Sequence, residues 1–493
     1  MLAKLTTHSR LPQGKNLQKM KHLLVVLPPG VLPEDCPQRP LLEAALHRRG
    51  KPAGSLASVP LPATTAEGAL CVWCMLDPAK PVFEQQGLLR KALQSLFDER
   101  PERVDVLLSG DAAFNAVAAS LATYVALANG APLPTARRKD APRALKELVI
   151  WNGQPEAAAV AQAEANWLAR SLIVQPPNQL TPTAYRRKLA DLASKEGWQH
   201  EEFGIDKLRK LGAGAFLAVA QGSAVADAAI VHLSYRPKRA SARVALVGKG
   251  ICFDTGGHNL KSAKYMAGMH EDMAGSAVAV ALLLAATRLN LPLRIDCWLA
   301  LANNEISPLA YRQGDVVTAL DGTTIEIVHT DAEGRMVLAD TLALAARKSP
   351  DVLVDFATLT GSMITALGNR YGGVFASAAA LAGQAVAAGE ASGERVCVFP
   401  MDADYEEELE SSVADIKQCT LAGEADHILA ARFLRRFVGE IPWLHVDLSA
   451  ASCKGGLGAI GSEQTGFGVG WGVKFLTQWM RQSPLLPQDA GIN

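Results

Sequence analysis

Seven charged residues in two short stretches could do chemistry together. Lys249, Asp254, Lys261 and Asp272 lie within one segment, and Asp331, Glu333 and Arg335 within another. Four carboxylates brought into one partly buried cleft cannot stay ionised together, because like charges raise each other's pKa. Two divalent cations would resolve the conflict. Such pairs lie roughly 3.5–4 Å apart and can activate a shared water while polarising a carbonyl. Hard oxygen donors without thiolate suit Zn²⁺, Mn²⁺, Mg²⁺ or Co²⁺ and do not select among them. Taken singly, each signal is weak: an Asp at a helix start is more often an N-cap than a ligand. Gly248-Lys249-Gly250 is no dinucleotide fingerprint, since position 253 is Phe, and no phosphate loop, since the G-K-[ST] ending is absent. The combined set carries the reading.

The elements around these residues alternate. Apolar runs at 244–247, 294–302, 324–328 and 351–357 read as strands buried on both faces. Helical patterns at 275–288 and 336–348 separate them, as in a largely parallel sheet. Ligands collect at the carboxyl ends of such strands, and the seven residues fall at those ends or at the helix starts that follow. The first 150 residues show the same alternation on a smaller scale, with strands expected at 22–27, 69–76 and 104–108 and helices at 86–97 and 112–128. No set of acids, histidines or glycine turns there assembles into a site. The expected fold is therefore α/β: a smaller N-terminal α/β domain (1–155), a connecting helix (156–175), and a larger catalytic domain (176–493) with a mostly parallel central sheet flanked by helices.

Bulk properties exclude several alternatives. The 493 residues carry 49 basic and 49 acidic side chains, so no nucleic-acid partner is expected. Eight cysteines are too sparse for a disulfide scaffold. Cys71 and Cys74 form a C-x-x-C inside an apolar run and read as buried thiols, which suits a reduced, cytoplasmic setting. The apolar piece 23–27 is too short for a signal-peptide core, and the run 277–287 is too short for a membrane span, so no membrane partner is expected.

Longer motifs are more specific. His329-Thr330-Asp331-Ala332-Glu333-Gly334-Arg335 and its continuation through Asp340 resemble the N-T-D-A-E-G-R-L-x-L-x-D segment of the leucyl aminopeptidases, the two-metal cytosolic family often called M17. The stretch 247–261, VGKGICFDTGGHNLK, resembles that family's V-G-K-G-x-x-F-D-S-G-G-x-x-x-K. Met269-His270-Glu271-Asp272-Met273 resembles its M-x-x-D-M, the stretch 355–361 its D-x-A-T-L-T-G, and Tyr311-Arg312-Gln313-Gly314-Asp315 also fits. The likeness keeps order and spacing from about Ala169 to the C-terminal region, whereas the first 150 residues match only in size and α/β character.

The resemblance implies roles. Asp254 and Glu333 would bridge two metal ions, Zn²⁺ or Mn²⁺; Asp331 would complete one site, and Lys249 with Asp272 the other. As a ligand, Lys249 would have to be neutral. Lys261 would hold the substrate carbonyl, and Arg335 a bicarbonate that takes the proton from the bridging water. Met269, Thr358, Leu359 and Gly361 correspond to substrate-pocket positions. The implied protein is a homohexameric aminopeptidase acting on peptides, with the 1–155 domain serving assembly or regulation.

The chain departs from the family in places. It has His329 where the family has Asn, either as a hydrogen bonder like that Asn or as a group that alters the pH dependence. Ser449 replaces an Ala, and Glu424-Ala425-Asp426-His427 replaces a more neutral, glycine-rich stretch. Two other readings are open to test. A DNA-binding or architectural protein would show salt-dependent duplex binding. A catalytically dead scaffold is disfavoured because all seven charged positions are filled.

Overall fold

Alternation along the first 151 residues produces one six-stranded sheet. Its strands are β1 Lys4–His8, β2 His22–Leu27, β3 Leu61–Thr64, β4 Leu70–Met75, β5 Arg103–Leu108 and β6 Glu147–Trp151. They stand in the order β1-β6-β5-β2-β4-β3 and are parallel except for the β3–β4 edge pair. Leu24 and Val26 of β2 pack among residues of the helices Val82–Phe97 and Ala112–Gly130. Leu23, Val25 and Leu27 face the other way, toward Leu42 and Leu46 of the helix Arg39–Arg48. A central parallel strand buried on both faces reads as an unbroken apolar run for this reason. Cys71 and Cys74 are fully buried in β4, and burial pushes both thiols up to about 12.

The computed structural model describes residues 2–139 and 143–482. The chain divides into two units. One comprises Met1–Trp167 with Glu390–Gly393 and Cys453–Thr465, the other Leu168–Gly389, Glu394–Ser452 and Gly466–Asn493. The division falls inside the helix Ala157–Ile173, and the first unit takes in two late segments that a contiguous reading gives to the second. Residues 140–142 and 483–493, within the expected first and last domains, lie outside the described residues.

The second unit holds an eight-stranded sheet. Its members are β7 Gln199–Gly204, β8 Ala229–Tyr235, β9 Ala242–Asp254 and β10 Leu293–Asn304, with three strands from a smaller sheet intervening in the chain: β11 Val316–Thr318, β12 Thr324–Glu326 and, later, β16 Ile416–Lys417. The large sheet continues with β13 Val352–Ala357, β14 Gly372–Ala376, β15 Val396–Val398 and β17 Trp443–Asp447, in the order β15-β14-β17-β13-β9-β10-β8-β7. The four central strands β17, β13, β9 and β10 run parallel, so the architecture is mixed α/β with a mostly parallel core.

Two expectations are corrected. The strand expected at 244–247 continues to Asp254, because the backbone of Gly248-Lys249-Gly250 stays extended and the strand pairs with β10 through Ala302 and, past an irregularity, at Asn304. Lys249 therefore lies inside a strand, opposite Ala300. The stretch 324–328 does not join the central sheet. Ile325 and Ile327 are buried while Thr324 and Glu326 are half-buried, and that alternation belongs to a strand with one wet face. It pairs with β11 and β16 in the separate three-stranded sheet.

The helix Ala274–Arg288 is buried along nearly its whole length. The windows Ala112–Gly130 and Met269–Arg288 are long and apolar enough to cross a membrane, but 61% and 83% of them are buried inside the protein, as in core helices. Gly275 sets the approach of this helix to the sheet: a Cβ there would lie 2.0 Å from the carbonyl oxygen of Phe356. Exchanging Gly for Ala in a helix gains about 1 kcal/mol of propensity. A clash with backbone that cannot yield outweighs that gain, since overpacking costs about 1–3 kcal/mol or more. Gly275→Ala is expected to lower stability by about 2 kcal/mol net, read as a lower urea midpoint; an unchanged midpoint would show that β13 moves away freely.

Candidate metal centre

Each charged residue is delivered by a different local device. Lys249 and Asp254 come from β9, Lys261 from the loop after it, and Asp272 from the turn preceding the Ala274–Arg288 helix. Asp331 follows β12 through a short turn, and Glu333 and Arg335 occupy the first turn of the helix Glu333–Ala346. They line one cavity of about 500 Å³, together with Met269, Thr358, Leu359 and Gly361. The seven charged residues and the four expected pocket residues are thus brought to the same place.

Within the cavity wall, Asp254, Asp272 and Glu333 each offer an oxygen, and these atoms lie within 4.8 Å of one another, all three residues buried. Lys249 Nζ sits 2.8 Å from Asp272 Oδ2 and 2.8 Å from Glu333 Oε1, and donates to the carbonyl of Thr358 at 3.0 Å. Lys261 Nζ lies 2.9 Å from Asp254 Oδ2 and also contacts Asp331. Room for the lysine exists because residue 334 is glycine: a Cβ there would lie 2.6 Å from Lys249 Nζ.

Burial pushes Asp272 up to about 8; Lys249 opposes this, and Glu333 and Asp254 add to it. Burial first, then Glu333 and Asp254, push Asp331 up to about 7 against the pull of Lys261. Glu333 is raised by burial and by Asp254. For both lysines burial favours the neutral form, yet the surrounding carboxylates outweigh it and hold them charged. Two ammonium groups thus act as counter-ions for four carboxylates. Asp272 Oδ2 and Asp331 Oδ1 nevertheless receive no hydrogen bond of acceptable geometry. Charge proximity without directed bonds fits oxygens shaped for cations, so the donor set suits divalent ions.

The structure adds residues the sequence reading did not single out. Asn304, at the end of β10, donates Nδ2 to Asp254 Oδ1 at 2.8 Å, to the Thr330 carbonyl at 3.1 Å and to Glu333 Oε2 at 3.4 Å. Tyr311 Oη donates to the same Thr330 carbonyl at 2.7 Å. Asp447, at the end of β17, accepts from Thr360 Oγ1 at 2.7 Å and from the Leu359 amide at 3.1 Å. Asn304 and Asp447 gave no earlier signal than their position as polar residues ending strands, whereas Tyr311 lies in the 311–315 motif. Thr358, read as a pocket residue, also donates Oγ1 to Asp272 Oδ1 at 2.7 Å.

Arg335 is almost fully buried. Nη1 donates to the Gln418 carbonyl at 2.8 Å and Nη2 to Asp426 Oδ1 at 2.7 Å, while Nε has no hydrogen-bond partner. His329 lines the cavity, and its Nδ1 accepts from the Asp331 amide at 3.3 Å. Burial, then Lys261, lower its pKa against Asp426. His329 is therefore a neutral hydrogen-bond acceptor in the turn that carries Asp331.

Comparison with known proteins agrees with this chemistry. Residues 167–476 match the model of the cytosol aminopeptidase family, catalytic domain. The probable cytosol aminopeptidase of Acidovorax ebreus is 37% identical over 483 residues, 95% of this chain and 94% of that protein. The one from Methylorubrum extorquens is 38% identical over 355 residues, 70% of each. Among solved structures, the bottromycin maturation enzyme BotP in complex with Mn superposes with a TM-score of 0.80 at 32% identity, covering 93% of this chain and 99% of that one. The chain belongs to the cytosol aminopeptidase family, M17, and is a hydrolase that acts as a metallo-exopeptidase.

Proposed function

We propose that the cavity holds two divalent metal ions and removes the N-terminal residue from peptides. The observation that carries this reading is the buried triad of Asp254, Asp272 and Glu333 beside Lys249, Lys261 and Asp331. Asp331 with Asp254 and Glu333 would hold one ion, and Lys249 and Asp272 with the same two carboxylates the other. Ions bound there supply a water acidic enough to ionise near neutral pH and a Lewis acid for the peptide carbonyl. Zn²⁺ or Mn²⁺ suits the set, and Mn in the related BotP supports the second. To serve as a ligand Lys249 would release to solvent the proton it holds between Asp272 and Glu333, which the added positive charge favours.

Lys261 remains cationic at the cavity wall and stabilises the oxyanion that forms as the carbonyl is attacked. Arg335 suits a small oxyanion, since one nitrogen of a buried guanidinium is unpartnered. Bicarbonate held there would supply the proton acceptor. Met269, Thr358, Leu359 and Gly361 line the space for the substrate side chain. Recognition of a free α-amine at this site would limit cleavage to a single terminal residue. The protein acts in the cytoplasm as a homohexamer, with the 1–155 domain assigned to assembly or regulation.

An aminoacyl anilide and its N-acetylated counterpart test the exopeptidase reading. Metal-loaded protein is expected to cleave the first and leave the second, and Lys261→Met to reduce kcat by about 100-fold or more, the scale of losing one oxyanion donor. Equal cleavage of both anilides would contradict the role of the free amine.

A further inference from the structure

The stretch Glu424–His427 departs from the family pattern, and in the structure it closes onto the cavity. Asp426 begins the helix Asp426–Arg435, and the residue before it, Ala425, is held in the left-handed region at φ 51°. A residue with a Cβ adopts that conformation at a cost of roughly 1–2 kcal/mol. The turn brings Asp426 Oδ1 to 2.7 Å from Arg335 Nη2, and both residues line the cavity. The guanidinium side chain is 2% exposed and the carboxylate 22%. A buried cation with its own anion in place is already neutralised, and a second anion must approach beside the first.

We propose that Asp426 is a built-in counter-ion on the anion seat of Arg335, a positioning residue that competes with bicarbonate and sets how much of it the protein requires. This rests on the reading of Arg335 as the bicarbonate residue. Nη1 is engaged by the Gln418 carbonyl, and Nε, though without a partner, is enclosed, so an incoming oxyanion must share or displace the bond from Nη2 to Asp426. Removing the charge of Asp426 leaves Arg335 as an uncompensated buried cation, which an external anion then neutralises. Asp426→Asn keeps an oxygen for Nη2 without the charge, whereas Asp426→Glu keeps the charge.

The test is calorimetric titration of the metal-loaded protein with bicarbonate at fixed pH, alongside anilide hydrolysis over the same concentrations. Asp426→Asn is expected to bind bicarbonate at least about tenfold more tightly than the unaltered protein, and Asp426→Glu about as the unaltered protein does. The bicarbonate concentration for half-maximal hydrolysis should shift by the same factor. Asp426→Ser, with the same expectation, stands in should Asn fail to fold. Equal or weaker binding by the uncharged variants would overturn the proposal, as would no binding by any of them. Hydrolysis by the unaltered protein during the titration keeps the aminopeptidase reading separate: its loss would sink that reading, and its persistence with flat bicarbonate curves would sink only the role of Asp426.

Discussion

Asp331→Asn is expected to cut metal-dependent hydrolysis of an aminoacyl anilide by about 1,000-fold or more, corresponding to roughly 4 kcal/mol of lost transition-state stabilisation. The amide keeps the shape of the side chain but offers a neutral oxygen where an ion needs a charged one. The same substitution has an opposite effect on the metal-free protein. Asp331 is pushed up to about 7 by burial and by Glu333 and Asp254, so its ionised form destabilises the native state. Removing that charge should raise the melting temperature of chelated protein at pH 8.5 and leave it nearly unchanged at pH 5. A variant that loses activity and stability together would point to misfolding. Retained activity would show that Asp331 is not a ligand.

The second large effect is metal removal, and its size depends on pH. Carboxylates titrate near 4 in an unfolded chain, whereas Asp331 and Asp272 titrate at about 7 and about 8 in the metal-free fold. Both therefore bind protons more tightly folded than unfolded. The stability they contribute is fully present below about pH 4 and is lost as the pH rises through 7 to 8. Divalent ions bind the deprotonated ligands and so reverse the trend. The difference in melting temperature between metal-loaded and chelated protein should be small at pH 5. It should widen to at least roughly 2 °C by pH 8.5, the effect of about 2 kcal/mol in a chain of this size. A difference independent of pH would mean that the carboxylates are neutralised by Lys249 and Lys261 alone.

Much of this was legible along the chain. β2 is a continuous apolar run, and β13 is one apart from Asp355, because both faces are buried, and the helix Ala274–Arg288 is apolar on every side for the same reason. Element ends were less legible where glycine is ambiguous. Gly248 and Gly250 look like turn residues, yet they lie within β9, and a Cβ on Gly248 would meet the backbone of Ser276 at 2.5 Å. Close packing explains these glycines, and sequence does not distinguish that from a turn. The charged residues of the site were legible as types near the ends of elements, except Lys249, which lies inside β9. Asn304 and Asp447 were not, since a polar residue ending a strand has many uses until its neighbours are known. Nor does spacing show that Arg335 meets Asp426, 91 residues further on; only the fold of the helix Asp426–Arg435 brings them together.

The central claim is that two ions are held by Lys249, Asp254, Asp272, Asp331 and Glu333. The direct measurement is a titration of chelated protein with Zn²⁺ or Mn²⁺, following bound metal by elemental analysis and anilide hydrolysis on the same samples. Two ions per chain, with hydrolysis completed by the second, is the predicted result. Saturation at one ion, or hydrolysis by protein stripped of metal, would contradict it.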